Sequence, residues 1–200
     1  MANVGLRHVV VAPIKTHTSG SPITYDTGSV IGMATQADVT INRGSNVLYA
    51  DDVEAERDDT MQSATITVAV DDLPLAKEAL LSNLAKADEE SNGYDDTDDA
   101  PPLVGMGYVR IRRKTNQETG VVKKSYIGNW WYRTRPAISS ESQKSKGANM
   151  EFATSSVAFN AQGAEISNDG KMHFRRREEF DTYAAAEKFV DDFANISHGG

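Results

Sequence analysis

The sequence predicts a mainly β domain, either a sandwich or a barrel, with a short central helix and a C-terminal helix. One observation is the two-residue alternation of apolar side chains, which places them on one face of a strand. It is clearest at 63–70, where the apolar residues of one face are Ala64, Ile66, Val68 and Val70. Another is the short spacing of such segments between turn-forming residues, which is typical of all-β domains.

The other predicted strands share β-branched, aromatic or alternating apolar character. They are 6–12, 37–42, 46–50, 103–114, 121–135, 150–159 and 171–177. The polar residues 115–120 end in a glycine, so they predict a hairpin between the two strands that flank them. The 200 residues are expected to form a single domain, 1–200, with long loops at about 45–62 and 88–102.

Two segments break the alternation and have apolar residues at helical spacing. The first opens at Leu73-Pro74, with Asp72 as the predicted N-cap. Its apolar residues are Leu73, Ala76, Leu80, Leu81 and Leu84. The second covers about 182–195 with Asp181 as N-cap, and its apolar stripe is Tyr183, Ala186, Phe189, Val190 and Phe193. Three acidic residues are expected to lie off that stripe: Glu187, Asp191 and Asp192.

The acidity of the chain is local. Lys plus Arg number 21 and Asp plus Glu number 29, for a net charge of −8. The segment 88–99 carries seven carboxylates and no basic residue, which leaves the rest of the chain close to neutral. A protein that neutralises phosphates would show the opposite balance, so specific nucleic-acid binding is not predicted.

This acidic segment has three open interpretations: the lining of a channel, a calcium site or a contact with another subunit. The run Asp95-Asp96-Thr97-Asp98-Asp99 lacks the spaced ligands and glycine of an EF-hand, which disfavours calcium. A contact between subunits is favoured, because the hairpin from Arg110 to Lys124 supplies a basic cluster that could meet the segment.

The sequence offers little catalytic chemistry. It contains no cysteine, no phosphate-binding or nucleophile motif, and no two of its four histidines at metal-ligand spacing. An enzyme, a cofactor and a metal are therefore not predicted. The apolar run near the N-terminus is too short for a signal peptide or a membrane span, so synthesis in a cytoplasm is expected.

Two features point to contacts between subunits. The basic hairpin has no interleaved aromatic residues, which disfavours a single-stranded nucleic-acid surface. The run Trp130-Trp131-Tyr132 places large rings on both faces of one strand, so a helix or another subunit must cover one face. The predicted assembly contacts are Tyr49, Asp95, Asp96, Asp98, Asp99, Arg110, Arg112, Arg113, Lys123, Lys124, Trp130 and Trp131.

The order of several short motifs resembles the major tail protein, or tail tube protein, of long-tailed siphophages. Gly5-Leu6 leads into the first strand, and 47–52 (VLYADD) resembles a signature of that family. The later matching segments are 65–70, Leu73-Pro74, 103–108 (LVGMGY), Lys146-Gly147 before Phe152, and 180–184 (FDTYA). Together they extend over the whole chain.

The resemblance implies a structural virion protein, found in the tail and made in the cytoplasm of a host bacterium. Such subunits form six-membered rings that stack into a tube around a tape-measure protein, between the tail terminator and the distal tail proteins. DNA passes through the lumen without specific binding, and no membrane is involved. The alternative function is a capsid-decoration or carbohydrate-binding β-sandwich module, which would bury Tyr49, Trp130 and Trp131 within a single subunit.

Overall fold

A computed structural model describes residues 2–44, 46–50, 53–88, 92–115, 122–140 and 155–197. Within these ranges the chain forms thirteen strands and two helices. The strands are β1 (Ala2–Thr16), β2 (Thr24–Tyr25), β3 (Ser29–Gly32), β4 (Ala34–Arg43), β5 (Asn46–Ala50), β6 (Val53–Asp58), β7 (Met61–Val70), β8 (Ala85–Lys86), β9 (Tyr94–Asp95), β10 (Val104–Thr115), β11 (Val122–Ser140), β12 (Ser155–Gln162) and β13 (Arg175–Phe180). The helices are α1 (Leu75–Ser82) and α2 (Tyr183–Phe193).

Nine of these strands form one antiparallel sheet, which confirms the predicted mainly β fold. Hydrogen-bonded neighbours follow the order β1, β10, β11, β12, β7, β4. Residue Met33 alone separates β4 from β3, and β3 pairs with β1. The strand path therefore returns to β1, and the sheet closes into a barrel.

The long strand β11 belongs both to the barrel and to a part of the sheet that extends beyond it. One edge of β11 pairs with β10 over 122–134. The opposite edge pairs with β13 over 126–131 and with β12 over 134–140. The strands β1, β10, β11 and β13 thus form a four-stranded antiparallel sheet, called here the flank sheet, that shares three strands with the barrel.

Alternation of side chains divides the apolar residues into two cores. The inner core fills the barrel, and its largest buried members are Ile31, Ile66, Leu81, Met106, Trp131 and Phe159. The outer core lies on the other face of the flank sheet, between that sheet and α2. Neighbouring residues of β1 and β11 divide between the two cores as the predicted alternation requires: Val11 and Trp131 are in the inner core, Val10 and Trp130 in the outer core.

The helix α2 covers the outer face of the flank sheet with the predicted stripe. Ala186 and Val190 are fully buried, and Phe193 stacks on Trp130 with 5.6 Å between ring centroids. Three glycines, Gly105, Gly107 and Gly128, lie beneath these rings, where a Cβ would come within 2.5 Å of an aromatic carbon. The close approach that the glycines permit is made by aromatic side chains of β11 and α2.

Both predicted helix caps are wrong by a small number of residues. The helix α1 begins after Pro74, whose carbonyl accepts hydrogen bonds from the backbone of Lys77 and Glu78. A residue before proline is excluded from helical conformation, so Leu73 separates Asp72 from the helix. The helix α2 is capped by Thr182 instead of Asp181, and its Oγ1 accepts a hydrogen bond from the backbone N–H of Ala185 at 3.3 Å.

Two stretches differ from the predicted strands and loops. The strand predicted at 46–50 is β5, and the rest of the predicted loop at 45–62 adds β6. The hairpin β5–β6 continues the β4–β7 pair beyond a hydrogen bond from Gly44 N–H to the Thr60 carbonyl. The predicted strand 171–177 is β13, shifted to Arg175–Phe180. The shift arises because Asp169 accepts a hydrogen bond from the backbone of Lys171, which closes a turn.

Candidate assembly surface

The flank sheet has two open edges, one on each side. Residues 2–7 of β1 pair with β10, while β2 and β3 pair with β1 only from Val9 onward. The strand β13 pairs with β11 alone. Within the described residues, the second edge of each of these stretches has no hydrogen-bonded strand. Open edges are sites where another chain can add a strand.

The inner face of the flank sheet carries arginines that converge from two strands. Cross-strand pairing puts Arg175 opposite Trp131 and Arg177 opposite Asn129, and puts Arg110 in register with Ile127. Paired residues of an antiparallel sheet point to the same face. We call Arg110, Arg175 and Arg177 the arginine face; the first two are half-buried and the third is exposed. Register also places Glu179 on this face, in line with Arg110 across β11.

Aromatic side chains hold the central guanidinium of the arginine face. The Cζ atom of Arg175 lies 4.6 Å from the centroid of the Trp131 ring, in a cation–π arrangement. Burial lowers the pKa of Arg175, and the nearby charges of Arg177 and Arg110 lower it further, whereas Tyr108 opposes both through its charge and a hydrogen bond. Arg175 is therefore close enough to Arg177 and to Arg110 for both to repel it.

The described end of the acidic segment, residues 92–99, lies on the surface. Its strand β9 pairs with β8, which makes a short ladder of two residue pairs: Ala85 with Asp95 and Lys86 with Tyr94. The four aspartates of the predicted contact set, Asp95, Asp96, Asp98 and Asp99, are all exposed. Among the residues that the structure describes, no group of three or more acidic or histidine side chains is arranged to hold a metal ion.

The predicted basic hairpin is divided between the two faces of the flank sheet. Arg113 pairs with Lys124 and, by alternation, lies on the face opposite to Arg110 and Arg112. The Nζ of Lys123 lies 3.0 Å from an Oδ atom of Asp181, at the start of α2. The hairpin is therefore not one basic surface, and residues 116–121 at its tip lie outside the described ranges.

The tryptophans do not provide an exposed assembly contact. Trp130 and Trp131 are both 0% exposed, because α2 covers one ring and the barrel encloses the other. One face of the strand was predicted to be covered by a helix or another subunit, and the helix α2 covers it. The two rings have no exposed surface that a neighbouring chain could contact. Tyr49 lies in β5, and its side chain is outside the described part of the structure.

A histidine pairs with α2 in a way that the sequence did not predict. His8 has a left-handed φ of 59° at a β-bulge, and its Nε2 lies 2.7 Å from Oδ1 of Asp191. Its Nδ1 lies 3.3 Å from Oε1 of Glu187. The sequence placed Asp191 only off the apolar stripe; the structure buries it fully, and the imidazole of the neighbouring strand supplies a polar partner.

The residues that sequence reasoning missed are Arg175 and Arg177. Three consecutive arginines at 175–177 were the available signal, but the predicted strand was placed four residues too early.

No protein-family model matches the chain, and a search of curated proteins returns no significant match. Among the described residues, no helix is long and apolar enough to cross a membrane.

Proposed function

We propose that the chain is a self-assembling structural protein, the tail tube subunit of a long-tailed bacteriophage. In this proposal six copies close into a ring, rings stack around a tape-measure protein, and the tube joins tail terminator and distal tail proteins in the virion. DNA crosses the lumen without specific binding. The proposal joins the resemblance of the ordered motifs with one structural observation, the two open edges of the flank sheet.

The directions of the strands support closure of a ring by these edges. The order β1, β10, β11, β13 is antiparallel at each step, so β1 and β13 run in opposite directions. The edge of β13 in one copy can therefore add to the edge of β1 in the next as an antiparallel pair. Such a contact is heterologous, and a heterologous contact repeats from copy to copy until a rotation closes it.

The β5–β6 hairpin supports a contact along the tube axis. It extends the β4–β7 hairpin by two paired strands of five and six residues, roughly 15–20 Å at the usual rise per residue. An extended two-stranded ribbon is marginally stable by itself, so contact with a neighbouring ring would give it a partner.

A cross-linking experiment tests the edge contact, because the chain has no native cysteine. Arg7 and Glu178 are exposed residues on the two edge strands, and we expect the Arg7→Cys/Glu178→Cys variant to give a ladder of oligomers with a short bismaleimide. The matched controls are the two single-cysteine variants, which can give dimers at most. A double variant that yields only monomers and dimers at assembling concentrations would contradict the proposed edge contact.

The second candidate function is a monomeric capsid-decoration or carbohydrate-binding module. The observation that favours it is the complete burial of Trp130 and Trp131, because a monomer is expected to enclose its large rings. A strictly monomeric chain that binds glycans or capsids would support this candidate over the tube subunit.

A further inference from the structure

The arginine face carries positive charge that the described chain does not balance. No described carboxylate makes an ion pair with Arg110, Arg175 or Arg177, and the guanidinium groups remain charged at any ordinary pH. By contrast, Arg176 points to the other face of β13, where it lies over Phe193 and pairs with Glu178 at 3.5 Å. Adjacent arginines of one strand thus have different surroundings, and those of the inner face share it with Glu179 alone among the carboxylates of β13, without an ion pair to it.

The central side chain of the arginine face, Arg175, is also held in place before any partner arrives. The ring of Trp131 supports Arg175 from below, and β13 is fixed to β11 by six consecutive residue pairs. A guanidinium offers a planar fork of N–H donors that matches a carboxylate, and a fork that is already ordered loses less entropy on binding. The geometry therefore suits the recognition of several carboxylates at once.

We propose that the arginine face of one copy of this chain binds residues 94–99, the end of the acidic segment, of a second copy. The segment is exposed and supplies four aspartates within five residues. None of these aspartates makes an ion pair with a described basic residue, and no ion pair joins the segment to the arginine face within one chain. The two surfaces are complementary in charge, and within the described residues neither makes an ion pair with a group of opposite charge.

A second copy fits the arginine face better than a nucleic acid does. The net charge of −8 repels phosphate, and Glu179 lies within the arginine face. This inference rests on the proposed self-assembly, because only an assembly brings a second copy to the face. It also changes the predicted contact surface: Arg175 and Arg177 from β13 replace Arg113, Lys123 and Lys124 of the hairpin.

Peptide binding tests the inference without requiring tubes. The probe is a fluorescently labelled, end-blocked peptide of residues 92–100 (NGYDDTDDA), titrated with the full chain at low salt and followed by anisotropy. We expect saturable binding that weakens as sodium chloride rises, since exposed charges are screened over about 8–10 Å at ordinary salt. A peptide with all four aspartates changed to asparagine is expected not to bind.

Matched variants locate the site on the protein. Arg175→Gln/Arg177→Gln is expected to weaken peptide binding by at least about tenfold, whereas Arg176→Gln, on the opposite face of the same strand, is expected to leave it unchanged. Because Arg175 contacts Trp131, its loss could perturb the fold. Arg177→Glu alone changes an exposed side chain and is expected to weaken binding as well.

Equal binding of both peptides, or equal binding to wild type and Arg177→Glu, would overturn the inference. Binding of a single-stranded DNA oligonucleotide at the arginine face in place of the peptide would also overturn it. Tubes that form while the peptide fails to bind would contradict this inference and leave the proposed function standing. Peptide binding by a chain that never assembles would support the contact and contradict the tube.

Discussion

The two faces of the flank sheet differ in what covers them. On the outer face α2 covers a layer of packed aromatic rings. The centroid of the Trp130 ring lies 5.6 Å from that of Phe193, in a stacked pair, and 5.2 Å from that of Tyr25, in an edge-to-face pair. On the inner face, beyond the barrel, the same strands carry the arginine face, which belongs to neither apolar core. The outer face is completed by the chain itself, whereas the charged part of the inner face is not.

This difference separates the residues that hold the fold from those that are available for contacts. Burial of aromatic and branched side chains stabilises a fold by roughly 25 cal/mol per Å² of apolar surface, whereas exposed charges contribute little. The outer face should therefore respond to substitution by loss of stability. The arginine face should respond by loss of association, with the fold unchanged.

The largest loss of stability is expected from a substitution where α2 packs on the flank sheet. Phe189→Ala should lower the free energy of unfolding by about 3 kcal/mol, the low end of the range for phenylalanine, because its half-buried ring packs on Phe180 and Phe193 above Gly128. Urea denaturation measures the change. Lys188→Ala is the control, since its exposed side chain pairs only with Asp192. An unchanged midpoint together with lost assembly would place the helix at a subunit interface instead.

A smaller loss of stability is expected when a methyl group is added to the sheet beneath the same helix. In Gly107→Ala the new Cβ would lie 2.5 Å from Cε3 of Trp130 and 2.7 Å from Cγ1 of Val190, so the rings and α2 must shift. Overpacking of this kind costs about 1–3 kcal/mol. Gly5→Ala is the matched control, because its Cβ would meet Ile111 at an ordinary 3.5 Å. Equal melting temperatures for the two variants would contradict the close packing.

Alkaline titration of the tyrosines tests whether the outer face of the flank sheet is buried in the folded chain. Burial raises the pKa of Tyr183 to about 12 from 10.0, with further contributions from the charge and hydrogen bond of Glu187, and burial also raises the pKa of Tyr25 and Tyr132. The folded state favours the neutral phenol, so this stability is present below pH 10 and is lost as the pH rises toward 12.

The absorbance of tyrosinate should therefore rise in stages, and the last stage should coincide with unfolding. The variant Tyr183→Phe should remove one late-titrating group and keep the fold, since its hydroxyl contacts only Glu187 at 3.3 Å. A single step near pH 10 for all seven tyrosines, with the fold intact, would show that the outer face is not closed.

The smallest effect on stability is expected on the arginine face. Arg177→Gln should change the free energy of unfolding by no more than about 0.5 kcal/mol, because the side chain is exposed and has no described ion pair. The same variant should reduce assembly, as measured by light scattering at a fixed concentration. A large loss of stability would mean that the arginines serve the fold.

The sequence predicted the two apolar cores better than the arginine face, and the reason is physical. The stripe from Tyr183 to Phe193 and the alternation at 63–70 are local patterns that burial imposes on neighbouring residues. The arginine face depends on register among strands that are distant in sequence, and RRREEF in β13 has no apolar alternation to reveal its position. The burial of Asp191 likewise depends on His8, which is 183 residues away.

Electron microscopy of the concentrated, purified chain in negative stain tests the central claim most directly. The account predicts rings, or tubes built from stacked rings, at high concentration or after seeding with tail fragments. Weaker assembly is expected for the chain in which Asp95, Asp96, Asp98 and Asp99 are changed to asparagine. A strictly monomeric wild-type chain across a wide concentration range, seeded or not, would contradict the claim that this protein builds a tube.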